Sequence, residues 1–175
     1  MTVSKNGART GVVYFGMPEK RFPFDKGDIV DLAVNLDRNV YNGEERVSVI
    51  VRGIRPSLTD EEKVLSAISL YEKFARGEKL TREQAERLLP GRETEVAVYK
   101  CIKAAPLKDN YCEMLCVRLG DDGSKLAAIT ATVEIMLEMG VLETDEENRV
   151  SVPKNPPKVN LEDSKIMQKI KSFLR

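Results

Sequence analysis

The 175-residue chain contains no histidine and no tryptophan. Histidine is the usual general base of catalytic triads, the commonest protein ligand of metal ions and the side chain that most readily moves protons near neutral pH. Asp, Glu, Lys, Tyr and Cys can still carry chemistry in a chain of this kind. The composition nevertheless excludes most of the familiar active sites.

Cysteine is scarce as well, occurring only at Cys101, Cys112 and Cys116. Three cysteines are too few for a disulfide framework, and no C-x-x-C pair or histidine is present to complete a zinc shell. Cys112 and Cys116 lie four residues apart in a predicted helix, so we interpret them as small buried apolar side chains. No apolar run reaches the ~18–20 residues of a membrane span, and the first seven residues lack the apolar core of a signal peptide. We expect a soluble, cytoplasmic protein with no membrane contact.

Residues 1–57 have the pattern of β-structure. Apolar and polar side chains alternate over 28–37 and again over 46–52, which is the period of a strand. The Asn42-Gly43 pair between these two runs is the strongest short signal for a hairpin turn. The pattern therefore predicts a long antiparallel hairpin that Pro56 ends.

A lone hairpin is not stable in water, so this one must belong to a larger sheet. Residues 10–16 form a short β-branched and aromatic run that predicts a third strand. Residues 5–9 and 20–24 are candidates for the remaining strands of a five-stranded fold. We predict an OB-like antiparallel β-barrel at residues 1–57.

From Ser57 onward the apolar residues recur with the period of a helix. Two capping boxes, 59–62 and 81–84, predict the starts of the first two helices. Further helices are predicted at 92–103, 110–119, 125–139 with Ser124 as its cap, and 160–174. Helices followed by a hairpin, here at 141–144 and 149–152, are the pattern of a winged helix. We therefore predict an α+β chain with an OB-like domain at 1–57 and a mostly helical, winged-helix-like domain at 58–175.

Paired carboxylates occur in three clusters, 60–62, 121–122 and 145–147, and we interpret all of them as solvent-facing. The first fits the preference of a helix start for acidic residues, and the third lies at a hairpin tip without the chemistry of a calcium loop. No phosphate loop, dinucleotide fingerprint or nucleophile elbow is present. We assign no catalytic residue, no metal ligand and no cofactor to this chain.

The net charge is zero, from 28 basic and 28 acidic residues, but the two halves differ. Residues 1–57 hold 9 basic and 7 acidic residues, and residues 58–175 hold 19 and 21. Basic and aromatic residues are interleaved at 20–24 and 38–42, a combination that single-strand binding uses. In the alternative interpretation, Phe22 and Phe24 pack into the end of the barrel while the basic residues are merely solvated, and the pattern alone favours this alternative.

The predicted helix 125–139 would be the groove-entering helix of a winged helix. It offers one lysine, Lys125, against Glu134 and Glu138, and the rest of the helix is mainly apolar. A helix that reads bases in a duplex needs a polar, basic face. We therefore expect a core or interface element here, and a packing or protein-contact role for the second domain.

In its ordered series of motifs the sequence resembles the C-terminal region of RecJ-type single-strand-specific DNA exonucleases. The first domain matches that family's OB-fold domain at five short stretches, and the second matches its C-terminal domain at four more. One departure is Gly53, which stands where the family usually has Asp. The matching stretches are Phe15-Gly16, 27–32, Leu36, Tyr41-Asn42-Gly43, 51–56, 92–100, Lys125-Leu126, 138–142 and 158–164.

The resemblance implies a fragment that carries the DNA grip without the nuclease core. The family's catalytic domains bind divalent metal through two histidine-containing motifs. This chain has no histidine and therefore contains neither of them. The function implied is a non-catalytic, single-stranded-DNA-binding and accessory region of a 5′–3′ exonuclease acting in DNA repair and recombination. The residues that we expect to contact DNA are Lys20, Arg21, Arg38, Tyr41 and Arg46, with Tyr41 as a stacking platform and the cations on phosphates.

Two other functions remain open at this point. The second domain could recruit replication or repair proteins, with DNA contact only incidental. A stand-alone hydrolase is the third possibility, and we expect no activity with added divalent metal.

Overall fold

The computed structural model describes residues 1–41, 44–108 and 111–175, without the side chains of Lys20, Tyr41 and Glu44. About 40% of the chain is helix and 24% is strand, which confirms the predicted α+β class. The chain forms two compact units, Met1–Ser57 and Leu58–Arg175. The division falls at the position that the proline and the following helix cap indicate in the sequence.

The first unit contains four strands: β1 (Thr2–Lys5), β2 (Ala8–Val13), β3 (Val30–Tyr41) and β4 (Glu44–Pro56). Their order in the sheet is β1-β2-β4-β3. The β3–β4 pair is antiparallel from Val30–Pro56 to Tyr41–Glu44, which confirms the predicted long hairpin. The predicted Asn42-Gly43 turn lies outside the described residues. β2 runs parallel to β4, and β1 runs antiparallel to β2.

The candidate strand at 5–9 is interrupted by the turn of the β1–β2 hairpin: Lys5 ends β1, and Ala8 and Arg9 begin β2. Asn6 and Gly7 have φ values of 50° and 82°, the left-handed conformation that a two-residue hairpin turn requires. Asn-Gly supplies this conformation at low cost, as it was expected to do at 42–43. The sequence therefore carries a second hairpin signal that the strand pattern concealed.

The candidate strand at 20–24 is wrong. Glu19–Arg21 form a single 3₁₀ turn, closed by a 3.1 Å hydrogen bond from Arg21 N to the carbonyl oxygen of Pro18. Proline fixes its own φ near the value of a turn, and Pro23 has no N–H to give to a strand partner. Among the described residues, β1 and β3 are the edges of an open sheet, so the closed OB-like barrel stays a prediction.

The α-helices of the described residues all lie in the second unit, together with a small sheet of three short strands. That sheet has the order β5-β7-β6, and both of its pairings are antiparallel. The predicted hairpin and the other predicted helices are present with somewhat different bounds, but the last predicted helix, 160–174, is divided into a 3₁₀ turn, Leu161–Asp163, and an α-helix that begins after Ser164. The strand β5 was not predicted. The elements are α1 (Glu61–Ala75), α2 (Arg82–Leu88), α3 (Arg92–Ala104), β5 (Leu107–Lys108), α4 (Glu113–Arg118), α5 (Leu126–Glu138), β6 (Glu143–Thr144), β7 (Arg149–Ser151) and α6 (Lys165–Ser172).

Three predicted helix caps can be compared with the side chains that cap these helices in the structure. The Thr81 box is confirmed, because Thr81 Oγ1 accepts from Gln84 N at 3.2 Å and Gln84 Oε1 accepts from Thr81 N at 3.1 Å. The Thr59 box is wrong, since Asp60 caps α1 by accepting from the backbone of its first turn. Ser124 does not cap α5 either. Its hydroxyl donates to Asp122 Oδ1 at 2.6 Å.

Helix α5 is the centre of the second unit. It packs against five other helices, and its buried residues lie on every side of the helix. A helix that is apolar all round is expected to be buried, which confirms the core interpretation of this segment. Cys112 and Cys116, 7% and 0% exposed, are also in this core, as predicted. None of the helices in the described ranges is long and apolar enough to cross a bilayer.

Candidate nucleic-acid interface

The β3–β4 hairpin presents two chemically different faces. Residues paired across the strands share a face, and successive residues along a strand point to opposite faces. The apolar face carries Leu36, Val40 and Val47, each about two thirds exposed, with Arg38 and Glu45 among them. The opposite, polar face carries Asn35, Asp37, Asn39, Arg46 and Ser48.

The structure places two of the predicted DNA-binding residues on opposite faces. Arg38 pairs with Val47 on the apolar face, whereas Arg46 pairs with Asn39 on the polar face. Arg38 also forms an ion pair with Glu45, in which both side chains are more than half exposed. Such a pair is worth about 0–1 kcal/mol and is weakened by salt. A DNA strand that lies on one face of this sheet can therefore contact only one of these two arginines directly.

The other predicted residues are placed as follows. Arg21 is exposed at the end of the 3₁₀ turn, and the side chains of Lys20 and Tyr41 lie outside the described part of the structure. Beside Arg21, the rings of Phe22 and Phe24 lie 5.5 Å apart at 58°. Phe24 is only 5% exposed, so the packing interpretation is confirmed for this residue.

A bulge in β4 adds a second arginine to the polar face. Ala33 pairs with Gly53 and Val34 pairs with Val51, so Arg52 is an extra residue with no partner across the strand. The amide of Asn35, with its oxygen turned towards Arg52, accepts from Arg52 Nε at 3.1 Å and from Nη2 at 3.2 Å. Because Asn35 belongs to the polar face, this contact fixes the Arg52 guanidinium there.

The same bulge brings a third arginine to that face. Arg55 pairs with Asp31, and its Nε lies 3.5 Å from Asp31 Oδ2. Ser57 Oγ donates to the other carboxylate oxygen of Asp31 at 3.0 Å. Strict alternation would put residues 46 and 55 on opposite faces, since they are an odd number of positions apart. The inserted residue reverses the phase after Arg52. Sequence alternation, which places Arg46 and Arg52 on one face, therefore missed Arg55.

Elsewhere the acidic clusters serve turns and helix ends. Asp60 caps α1, and Asp122 accepts from Ser124 and pairs with Lys63. Asp145 accepts from the backbone N–H of Arg149 at 2.9 Å, the main reason that its pKa lies below the ordinary value. In residues 1–41, 44–108 and 111–175, no three Cys, Asp or Glu side chains are grouped to hold a metal ion.

The two buried cysteines are poorly suited to nucleophilic chemistry. Burial raises the pKa of the Cys112 thiol to about 12, and the neighbouring Glu134 carboxylate acts in the same direction. Burial likewise raises the pKa of Cys116, with Asp121 contributing. Both thiols are therefore protonated near neutral pH, and the reactive form of cysteine is the thiolate.

The second unit carries a groove of about 620 Å³ beside α3. Tyr99 and Val141 contribute an aromatic and an aliphatic wall, and the proline-rich connector contributes Pro157. Two cationic side chains, Arg92 and Lys158, also line it. Sequence reasoning assigned no role to these residues.

Comparison of the chain with protein-family models, with curated proteins and with solved structures finds no match in any of the three.

Proposed function

We propose that this chain is a non-catalytic, single-stranded-DNA-binding and accessory region of a RecJ-like exonuclease. In this proposal the first unit is an OB-like module that holds the DNA strand, and the second is a winged-helix-like accessory module. The observation that carries the proposal is the concentration of arginine on the polar face of the first sheet.

Among the described side chains, cationic groups outnumber anionic groups on that face. Ile50 pairs with Asn35 and therefore lies on the polar face. Val13 of β2 pairs with Ile50 and shares that face, and alternation along β2 puts Arg9 there as well. Among the described side chains of β2, β3 and β4, the polar face thus holds four arginines against two aspartates. The arginines are Arg9, Arg46, Arg52 and Arg55, and the aspartates are Asp31 and Asp37. On the apolar face of the hairpin, Arg38 and Glu45 cancel each other.

The arrangement suits a strand of phosphates better than a compact anion. At about 3.3 Å per residue, Arg46 and Arg55 are separated by roughly 30 Å along β4. A cationic track of this length is consistent with binding sites of about 4–16 nucleotides in single OB folds. Because guanidinium groups bind phosphate oxygens without reading bases, we expect binding that is independent of sequence and sensitive to salt.

Topology supports the winged-helix part of the proposal. Elements α3, β5, α4, α5, β6 and β7 follow one another as helix, strand, helix, helix, strand and strand, and β5 completes the small sheet beside β7. The helix that would enter a DNA groove is α5, and it is buried among the other helices. An accessory role in protein contact therefore fits this unit better than duplex recognition.

The test uses two arginines that neighbour each other on the hairpin but point to opposite faces. Fluorescence anisotropy of a labelled oligothymidylate is measured with the intact chain, Arg46→Ala and the matched control Arg38→Ala between 50 and 200 mM salt. Each lost phosphate contact should reduce the slope of log K against log salt by about 0.7. We expect this reduction for Arg46→Ala and an unchanged slope for Arg38→Ala. Undetectable or salt-insensitive binding by the intact chain would refute the proposal.

The groove in the second unit favours one alternative function, a module that recruits replication or repair proteins. Its walls combine an aromatic ring, aliphatic side chains and two cations, the kind of surface that anchors a protein partner. In this alternative, Tyr99→Ala abolishes the association with such a partner while leaving DNA binding unchanged. Loss of DNA binding in the same variant would contradict the alternative.

A further inference from the structure

Phe15 is the only aromatic side chain that is largely exposed among those that the structure describes. It is 70% exposed, whereas Phe24 is buried and the adjacent Tyr14 is half-buried. A phenylalanine gains nothing from solvent, because it has no polar group to hydrate. Single exposed apolar residues are common on proteins, so exposure alone assigns no role to Phe15. Its position relative to the paired strands β2 and β4 supplies the second observation.

Phe15 lies in the turn that follows β2, and Arg52 lies on the neighbouring strand β4. Strands β2 and β4 are parallel, and Val13 pairs with Ile50. Phe15 and Arg52 each come two residues after this pair, and parallel strands run in the same direction. Gly16 follows with a φ of 77°, so the chain turns immediately after the aromatic residue. The exposed ring is thus presented from the turn after β2, two residues beyond the Val13–Ile50 pair, as Arg52 is on β4.

Asn35 orients the guanidinium of Arg52 but accepts only some of its hydrogen bonds. Its contact with Asn35 uses two of the five N–H donors, those on Nε and one on Nη2. The remaining donors have the fork geometry that matches two phosphate oxygens. Because Asn35 holds the group in place, less side-chain freedom is lost when a phosphate binds.

We propose that Phe15 is a base-stacking platform and that Arg52 binds the phosphate next to the stacked base. The inference rests on the proposed function, and it specifies the ligand as an unpaired nucleotide within a single strand. Stacking on an aromatic face tolerates any base, because every base has a π-face. In a duplex both faces of a base are already stacked on its neighbours. The pair Phe15 and Arg52 therefore selects single strands over duplexes of the same sequence.

The chain offers a direct reporter, because it contains no tryptophan. Phe15→Trp places a sole indole at the platform, where a stacked base quenches its fluorescence. Val47→Trp is the matched control on the apolar face, at a position that is 65% exposed. On titration with unlabelled oligothymidylate we expect quenching of the indole at 15 and no change of the indole at 47. Duplex DNA at the same nucleotide concentration should quench neither indole.

Anisotropy of a labelled oligonucleotide measures binding independently of the indole. We expect Phe15→Ala to weaken binding between about 5-fold and 150-fold, the range found when a stacking aromatic is removed. Arg52→Ala should reduce the salt slope by about 0.7. Circular dichroism checks that each variant retains the fold, which is expected since Phe15 lies mostly in solvent.

Failure of this inference can be told apart from failure of the proposed function. If the intact chain does not bind the labelled oligonucleotide, the proposed function fails and the inference fails with it. If the intact chain binds but the indole at 15 is not quenched, or Phe15→Ala binds as tightly as the intact chain, only the stacking assignment is overturned. An unchanged salt slope for Arg52→Ala would overturn the phosphate assignment.

Discussion

The turn between α4 and α5 contains two glycines that differ sharply in their surroundings. Gly123 has a φ of 104°, and a Cβ at this position would lie 2.7 Å from Val64 Cγ2 and 3.3 Å from Val64 N. The approach is close because Asp60 N donates to the carbonyl oxygen of Asp122 at 2.8 Å, which ties the turn to the start of α1. Gly120 also has a positive φ, 71°, but nothing lies within 4 Å of its Cβ position.

Replacing each glycine by alanine separates backbone strain from steric overlap. At Gly120 only the left-handed backbone is disfavoured, at about 1–2 kcal/mol, and the reduced freedom of the unfolded chain offsets roughly 0.4–1 kcal/mol of this. We expect Gly120→Ala to lower the free energy of unfolding by about 1 kcal/mol. At Gly123 the overlap with Val64 adds roughly 1–3 kcal/mol. We therefore expect Gly123→Ala to lower the free energy of unfolding by about 2–4 kcal/mol.

Urea unfolding followed by circular dichroism at 222 nm measures this difference, because the helices that dominate the signal all belong to the second unit. With a slope of about 1–3 kcal/mol per molar urea, the Gly123→Ala midpoint should fall by roughly 1–3 M. Adding Val64→Ala removes the atom nearest to the new methyl group. The double variant should therefore show a favourable coupling of about 1 kcal/mol. Equal midpoints for Gly120→Ala and Gly123→Ala would refute the reasoning.

Two further predictions concern titratable groups in the second unit. At pH 8 the native, reduced protein should react with a thiol reagent only at Cys101, which is half-exposed. Cys112 and Cys116 should react only after unfolding. Rapid labelling of all three cysteines in the native state would contradict the burial of these two thiols. Hydrogen bonds from the Ser164 hydroxyl and nearby backbone N–H groups lower the pKa of Glu138 below its ordinary value of 4.5. Its stabilising contribution is therefore fully present above about pH 4.5 and is lost as the pH falls through the lowered pKa. The urea midpoints of Glu138→Gln and the intact chain should differ most at pH 7 and converge as the pH falls below the lowered pKa, and a constant difference would exclude this linkage.

Local sequence signals predicted the elements of the fold well where the decisive interaction is also local. The Thr81 capping box is formed within one helical turn, and it is present as predicted. The Thr59 box failed because Asp60 is an equally good cap one residue later, while Thr59 Oγ1 donates to Glu113, 54 residues away. The strand β5 could not be predicted because two residues carry no period, and only its pairing with β7 makes Leu107–Lys108 a strand.

In the candidate interface, too, some orientations follow from local sequence and others only from the folded sheet. The opposite orientations of Arg38 and Arg46 could have been derived from the sequence. A two-residue turn at 42–43 pairs Arg38 with Val47 and Arg46 with Asn39, as the register has it. The face on which Arg55 lies could not be derived in this way, because no local signal marks the bulge at residue 52 that reverses the alternation.

The sequence by itself determined the α+β class, the long β3–β4 hairpin and the starts of several helices, since each depends on a period or a turn residue within a few positions. The tertiary structure alone decided that Arg55 shares the face of Arg46 and Arg52. One extra residue in β4 reverses the alternation of the strand after Arg52 and brings Arg55 to the polar face, opposite to Arg38. A bulge is fixed by pairing between strands, and that pairing is a property of the folded sheet rather than of either strand.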